Sequence, residues 1–168
     1  VVTADPEEAL SAECDIIIEA MGGENPAHEY IERSLKAGRY VVTANKEVMA
    51  KHGPQLLTVA TEAGVDILYE ASVGGGIPII SPLKRDLSAN DITSVRAIIN
   101  GTTNYILTRM SREGAAFGDA LKQAQELGFA EPDPTADIEG HDAVYKLAIL
   151  ASLAFHTTVR PEDIYREG

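Results

Sequence analysis

Three short runs of mostly apolar, often β-branched residues alternate with helix-like segments over the first seventy residues of the chain. The runs are "CDIIIEAM" (14–21), "RYVVTA" (39–44) and "VDILYEA" (65–71). Each run has the length of a buried strand, and glycines punctuate the segments between them. Strands that alternate with helices form parallel sheets with right-handed crossovers. The sequence therefore predicts an α/β fold.

The segments between these runs carry helix signals. Asn25-Pro26 begins one helix, because proline is well tolerated in the first turn. A second helix is predicted from Asn45-Lys46 to about Ala63, and Gly64 ends it. Ligands of open parallel sheets bind beyond the carboxyl ends of the strands, so Lys46 is a candidate site residue. The competing interpretation of Lys46 is a solvated loop lysine.

The pattern changes after residue 72. "IPIISPLKRDL" predicts a helix interrupted near Pro82, and "DITSVRAIINGT" (91–102) predicts a strand. Two further helices are predicted, over "TNYILTRM" and over Phe117–Leu127. Long helices beside a single strand indicate an α+β unit, so we predict two domains, at residues 1–72 and 73–168.

Composition narrows the classes of function. The net charge is −12 and acidic residues occur along the whole chain, which makes a nucleic-acid partner unexpected. No apolar run approaches the roughly 18–20 residues that span a bilayer, so no membrane association is expected. Cys14 is the single cysteine, which excludes a disulfide framework, and with no secretory signal we predict a cytoplasmic location. Neither end looks like a domain boundary, and we expect an internal piece of a longer protein.

The stretch "GFAEPDPTADIEGHDAVYK" (128–146) combines an acidic loop, whose two prolines are expected to exclude helix, with a helix that starts around Gly140. Asp142 and Lys146 are four residues apart on that helix and share a face. One interpretation is a solvated loop followed by an exposed ion pair, which contributes little stability. The other is a polar pocket in which Glu131, Asp137 and Asp142 bind a cationic group and Lys146 donates a proton to a carbonyl oxygen. The residues alone leave both open.

Four segments, in this order and spacing, resemble homoserine dehydrogenase over essentially the whole chain. They are "VVTANKEVMAKHG", "YEASVGGGIPII", "NGTTNYILTRM" and "LGFAEPDPTADIEGHDAVYKLAILA". Members of this family reduce aspartate β-semialdehyde to homoserine with NADPH or NADH, on the route to threonine and methionine. The resemblance implies the back half of a nucleotide-binding domain, as a partial Rossmann-like parallel sheet, followed by an α+β substrate and dimerisation domain. It also implies a homodimer, for which residues 92–101 and the helices after them are the predicted contact.

The resemblance also implies roles for single residues. Lys146 is expected to be the proton donor and Lys46 a second catalytic lysine beside the nicotinamide, although which lysine donates stays open. The residues expected to bind substrate are Glu131, Asp142, Asp137 and Thr102. Those expected to contact NADP or NAD are Gly22, Lys46, Gly101 and Gly128. A monovalent cation site, usually sodium, is expected at Glu70, Val73, Gly75 and Ile77.

The sequence departs from the family pattern in what it lacks. No Gly-x-Gly-x-x-Gly motif follows a strand, so we expect the isolated chain to bind dinucleotide weakly and to be inactive alone. Two alternatives remain at this point. One is another two-domain dehydrogenase of small amino acids, and the other is a non-catalytic dimerisation fragment whose acidic loop is merely solvated.

Overall fold

The computed structural model describes residues 2–168, and the bounds below refer to this part of the chain. The strands are β1 (Ile16–Glu19), β2 (Tyr40–Thr43) and β3 (Ile67–Leu68). The helices are α1 (Pro6–Ser11), α2 (Ala27–Lys36), α3 (Lys46–Ala63), α4 (Gly101–Glu113), α5 (Phe117–Glu126), α6 (Thr135–Ile138) and α7 (His141–Ala154). Shorter turns are the 3₁₀ segments Glu70–Ser72 and Pro161–Asp163 and a π-helical turn at Pro82–Asp86.

The three strands form one parallel sheet in the order β1-β2-β3, which confirms the predicted α/β fold. Val41 lies at the centre of the sheet, in register with Ile17 on one side and Ile67 on the other. Each strand is shorter than the apolar run that predicted it. At the carboxyl edge the chain leaves the ladder and forms loops, as expected where a parallel sheet presents its ligand-binding edge.

Helices α2 and α3 pack against each other and against one face of the sheet. Their contact residues Ile31, Leu35 and Leu56 are fully buried, together with Val41 and Ile67 from the strands. The helix predicted to begin at Asn25-Pro26 is confirmed as α2. Complete burial of such side chains contributes about 1.5–3 kcal/mol each, which makes this cluster the main stabilising core.

The opposite face of the sheet is exposed. Ile18 and Leu68 retain 75% and 57% of their accessible surface, and Ile16 and Tyr40 are also exposed. Side chains alternate between the two faces of a strand, so the buried and exposed sets come from neighbouring positions.

Helix α7 belongs to the second predicted domain but packs on α3 and shares the main core. Ala148, Ile149 and Leu150 belong to the same buried cluster as the sheet residues. A smaller cluster, built around Ile106 and Ala124, joins α4 and α5. The packing of α7 on α3 brings the acidic stretch of the sequence to the carboxyl edge of the sheet. The domain division after residue 72 stays a prediction.

The prediction of a strand over residues 91–102 is wrong. Residues 91–100 form neither helix nor strand, and α4 begins at Gly101. A strand needs a hydrogen-bonding neighbour, and no segment within residues 2–168 pairs with this one. Its apolar residues Ile92, Val95 and Ile99 pack instead against the main core.

The acidic loop contains a short helix that the sequence analysis did not predict. Two prolines, Pro132 and Pro134, were expected to exclude helix up to Gly140, but α6 begins directly after Pro134. Proline disfavours helix for the residue before it and is compatible with a helix start, so the restriction ends at Pro134 itself. Among the described residues, no helix is both long and apolar enough to span a membrane.

Candidate active site

Lys46 is held in place by the helix cap that precedes it. Asn45 follows β2 and caps α3, because its Oδ1 accepts a hydrogen bond from the Val48 amide at 3.1 Å. Its Nδ2 donates to the Gly23 carbonyl at 2.8 Å, and its amide donates to Thr43 Oγ1 at 2.9 Å. These bonds fix the first turn of α3, and with it the start of the Lys46 side chain.

A buried carboxylate at the end of β1 supports the same turn. Glu19 is 5% exposed and accepts hydrogen bonds from the Thr43 hydroxyl and, at 2.6 Å, from the Met21 amide. Glu19 was not among the predicted site residues. An acidic residue that closes an apolar strand run is the signal that could have identified it.

Asp142 joins the two predicted catalytic lysines. It lies in the first turn of α7 and is 6% exposed. Its Oδ1 lies 2.5 Å from Lys46 Nζ, and its Oδ2 lies 2.7 Å from Lys146 Nζ. Lys146 Nζ also donates to the Ile99 carbonyl at 2.8 Å. One carboxylate therefore gathers two ammonium groups that are far apart in the sequence.

The electrostatics of this group favour an ionised Asp142. Burial raises the pKa of its carboxyl, but hydrogen bonds from Lys146, Lys46 and Asn100 outweigh burial and lower that pKa below its usual range. The Lys146 side chain is 17% exposed, whereas that of Lys46 is 41% exposed. Two cations share one anion here, so the group carries net positive charge and can stabilise an oxyanion that forms beside it.

Asn100 connects this group to the acidic loop. Its Nδ2 donates to Asp137 Oδ1 at 2.7 Å and to Asp142 Oδ2 at 2.9 Å. Asn100 was not among the predicted site residues, since it lies in the segment for which a strand was predicted. Asparagine directly before a helical segment is a common cap, and that position could have pointed to it.

Two cavities meet at these residues. Both are lined by Asn100, Gly101, Asn104 and Lys146, and their volumes are about 600 and 880 Å³. Asp137, Asp142 and Thr102 line only the smaller cavity, whereas Lys46 lines only the larger one. Lys146 therefore lies where two separate cavities meet, and each cavity gives a ligand access to its side chain.

The remaining predicted contacts surround this centre at different distances. Thr102 is 6% exposed, and its hydroxyl donates to the Phe129 carbonyl at 2.7 Å, which ties the start of α4 to the acidic loop. Gly101 is the first residue of α4 and lines both cavities. Gly128 follows α5 with a φ of 77°, which favours glycine, and Gly22 is exposed beyond β1. Neither Gly22 nor Gly128 lines these two cavities.

Glu131 is not brought to the centre. It is exposed, lines neither cavity, and contributes its backbone carbonyl to a hydrogen bond from Gln125 at 3.2 Å. Asp133 is likewise exposed and accepts bonds from the Thr135 hydroxyl and amide, which lower the pKa of its carboxyl. The role predicted for Glu131 in substrate binding stays a prediction.

The predicted cation loop has a defined local structure. Burial raises the pKa of the Glu70 carboxyl, but hydrogen bonds from the Ser81 hydroxyl and from the Ile79, Ser81 and Ile80 amides outweigh burial and lower it. Glu70 thus anchors the chain near residue 80. Val73, Gly75 and Ile77 line the larger cavity, on the same side as Lys46.

Family comparisons cover almost the whole chain. A sequence model described as homoserine dehydrogenase, NAD binding domain, matches residues 1–70, and one described as homoserine dehydrogenase matches residues 78–168. The homoserine dehydrogenase of Corynebacterium glutamicum is 51% identical over 92% of this chain. That of Synechocystis is 50% identical over all of it. The chain spans 35% and 39% of the lengths of these two relatives.

Solved structures agree with these matches. A homoserine dehydrogenase from Thiobacillus denitrificans superposes with a TM-score of 0.95 at 47% identity, over 99% of this chain and 39% of that one. A hyperthermophilic archaeal homoserine dehydrogenase in complex with NADPH superposes with a TM-score of 0.87 at 34% identity. That match covers 94% of this chain and 49% of the archaeal chain.

Proposed function

The chain belongs to the homoserine dehydrogenase family, and from this premise we propose that the protein interconverts L-homoserine and L-aspartate 4-semialdehyde with NAD or NADP. The observation that carries the proposal is the Lys46–Asp142–Lys146 group at the junction of two cavities. A solvated acidic loop would not place a carboxylate that is 6% exposed between two lysines. We propose further that the protein acts in the cytoplasm, in the biosynthesis of threonine and methionine.

Proton transfer is the task of the lysines. Reduction of the aldehyde creates an alkoxide, and Lys146 donates the proton that converts it to the hydroxyl of homoserine. Lys146 has three N–H groups, of which two are directed to Asp142 and the Ile99 carbonyl. The third N–H serves the reacting oxygen. Lys46 adds a second positive charge at the oxygen where negative charge develops.

The carboxylates position the amino-acid end of the substrate. Asp142 is largely committed to the two lysines and Asn100, whereas Asp137 has one carboxylate oxygen beyond its bond to Asn100. We therefore assign to Asp137 a larger share of the contact with the substrate ammonium group than the family resemblance alone implies. A contribution from Glu131, which is exposed, would require the loop to move toward the cavity. Holding the ammonium fixes the distance between the carbonyl and Lys146, so remote binding energy orients the reacting group.

Contacts with a bound dinucleotide are proposed for three glycines. A Cβ atom built on Gly22, Gly101 or Gly128 meets no other atom within 4 Å, so the backbone at these positions is open to close approach. These glycines and Lys46 would hold the cofactor, whose nicotinamide ring takes up or supplies the hydride when bound. The NADPH complex of the archaeal relative supports NADP as one of the two candidates.

A monovalent cation such as sodium is proposed at the loop formed by residues 70–77. The proposed ligands are the backbone carbonyl oxygens of Val73, Gly75 and Ile77, and oxygen ligands suit a hard cation. The Glu70 carboxylate supplies the negative charge. The test is activity in sodium chloride against choline chloride at equal ionic strength. Equal rates in both salts would argue against the site.

A homodimer is proposed through residues 92–101 and the helices that follow. The support is that this segment lacks a pairing partner within residues 2–168 and exposes Ile98 to 77%. A strand that remains unformed in one chain can form when a second copy supplies the neighbour. Sedimentation of the full-length protein tests this, and a stable monomer at high concentration would contradict it.

The activity is tested with the full-length protein. Homoserine and either NADP⁺ or NAD⁺ are supplied, and formation of the reduced cofactor is followed by absorbance. Other small hydroxy amino acids, such as serine and threonine, are the comparison substrates. Preference for homoserine supports the proposal. Equal or greater rates with another amino acid would indicate a different dehydrogenase, and no turnover with any of them would indicate a non-catalytic protein.

A further inference from the structure

Asn100 occupies a position that a helix cap alone does not require. It is 8% exposed and directly precedes α4. Its Oδ1 accepts hydrogen bonds from the Thr103 amide at 2.8 Å and from the Thr103 hydroxyl at 3.0 Å. These bonds use the oxygen end of the side chain and so fix the direction of the amide nitrogen.

The nitrogen end of Asn100 faces two carboxylates. Nδ2 carries two hydrogens, and it donates one bond to Asp137 and one to Asp142. Asp137 belongs to α6 and Asp142 to α7, so a single amide joins two helices and separates two like charges. A flipped amide would present oxygen to both carboxylates, and the cap therefore selects the orientation in which Asn100 is a donor.

The Ile99 carbonyl, directly before Asn100, contacts the lysine of the Asp142–Lys146 ion pair. The Ile99 carbonyl accepts a hydrogen bond from Lys146 Nζ, while Asn100 holds the Asp142 oxygen that pairs with the same ammonium. The opposite oxygen of Asp142 is thereby left to Lys46. Two consecutive residues thus determine where Lys146 and Asp142 lie relative to each other.

We propose that Asn100 is a positioning residue that sets the orientation of the Asp142 carboxylate, so that one oxygen serves each lysine. This inference rests on the proposed function and deepens it, because it assigns the alignment of the proton donor to a residue that does not itself react. A residue that acted only as a helix cap would affect stability and leave the alignment of Lys146 unchanged.

Two substitutions separate the cap from the donor. Asn100→Ser keeps a capping oxygen but removes the amide that reaches the carboxylates. Asn100→Asp also keeps the cap, and it places a third carboxylate against Asp137 and Asp142. Asp5→Asn is the matched control. Asp5 caps α1 by accepting a hydrogen bond from the Glu7 amide at 2.9 Å, and the substitution exchanges the same two residue types in the opposite direction.

The experiment measures kcat, KM for homoserine, pH dependence and Tm of the full-length protein. We expect kcat for Asn100→Ser to fall about 10- to 100-fold, the size of loss seen when residues that orient metal ligands are replaced, with a small change in Tm. The kcat of Asn100→Asp should fall further. The ratio of its kcat to that of wild type should rise as the pH falls, because protonation of the new carboxyl restores a hydrogen-bond donor. Asp5→Asn should match wild type. The proposal would be overturned if Asn100→Ser lowered Tm but not kcat. It would also be overturned if the ratio of the Asn100→Asp kcat to the wild-type kcat did not change with pH.

A second measurement does not depend on the reaction. If Asn100 orients Asp142, the decreases in Tm caused by Asn100→Ser and Asp142→Asn should be strongly non-additive, and the double variant should lose less than the sum. Additive decreases would overturn the positioning role even in an active enzyme. A different outcome is that the decreases in Tm are non-additive but the wild-type protein does not oxidise homoserine. That result would support the positioning role and reject the proposed function.

Discussion

The part of the acidic loop before α6 (residues 128–134) and the first turn of α7 both carry carboxylates, but in opposite environments. In the loop, Glu131 and Asp133 are exposed, and Asp133 bonds only to the nearby Thr135. In the helix, Asp142 is buried and bonds to Lys46, Lys146 and Asn100. The difference shows that a carboxylate becomes part of a site when its backbone is packed against cations from other elements.

The packing of α7 on α3 accounts for this difference. Asp142 lies where α7 meets the start of α3, so the same contact that buries its carboxylate also brings it to Lys46. A buried carboxylate without partners would be costly, and the two ammonium groups offset that cost. The Glu131 and Asp133 carboxylates remain in water, where an ion pair contributes little.

The largest effect should come from removing the proton donor of the helix. In the full-length protein, Lys146→Met should lower kcat by about 10²- to 10⁴-fold, the usual contribution of a general acid or base. The Kd for the dinucleotide should stay nearly constant, because proton donation is needed only in the transition state. Lys122→Met is the control, since the Lys122 side chain is 77% exposed. Near-normal turnover of Lys146→Met would remove the functional half of the comparison.

The next effect concerns Asp142 itself. Asp142→Asn leaves two ammonium groups side by side and should lower the free energy of unfolding by about 3 kcal/mol near neutral pH, the lower end for a broken buried pair, because Lys46 is partly exposed. The folded-state pKa of Asp142 is lowered, so its stabilisation is complete above the unfolded pKa of about 4. The difference between variant and wild type should therefore disappear as the pH falls below about 4. Denaturant unfolding at several pH values measures this, and a pH-independent difference would contradict it.

Glu131→Gln should have a smaller effect, confined to substrate binding. Loss of one charged hydrogen bond to the substrate ammonium should raise the KM for homoserine by roughly 10-fold or somewhat more, with kcat nearly unchanged. Glu131 is exposed in this structure, so the result also reports whether the loop moves toward the cavity. Steady-state kinetics at saturating cofactor give the answer. An unchanged KM would leave the whole loop as a solvated surface.

The smallest effect is expected for Asp133→Asn. Asn retains the acceptor for the Thr135 hydroxyl and amide, so stability should change by less than about 0.5 kcal/mol and both kinetic constants by less than about twofold. The measurement is the same kinetic assay with Glu131→Gln alongside. Equal damage from the two variants would end the distinction between loop carboxylates.

Much of the fold was predictable because its signals are local. The three apolar runs predicted the parallel strands, and the glycine after Ala63 predicted where α3 ends. The strand over residues 91–102 was mispredicted, since an apolar β-branched run indicates a strand only if a neighbour is available to pair with it. The start of α6 after Pro134 was missed for a narrower reason, because proline restricts the residue before it more than those after it.

The sequence by itself determined the α/β class, the helix that carries both Asp142 and Lys146, and the family, because periodicity, capping and motif spacing are properties of neighbouring residues. Only the tertiary structure decided that Lys46 meets Asp142 and that Asn100 bridges Asp142 to Asp137. It also decided that Glu131 stays exposed although its sequence context matches that of a site residue. Contacts between distant residues depend on how whole elements pack, and the identity of a carboxylate does not show whether it will lie in water or between two ammonium groups.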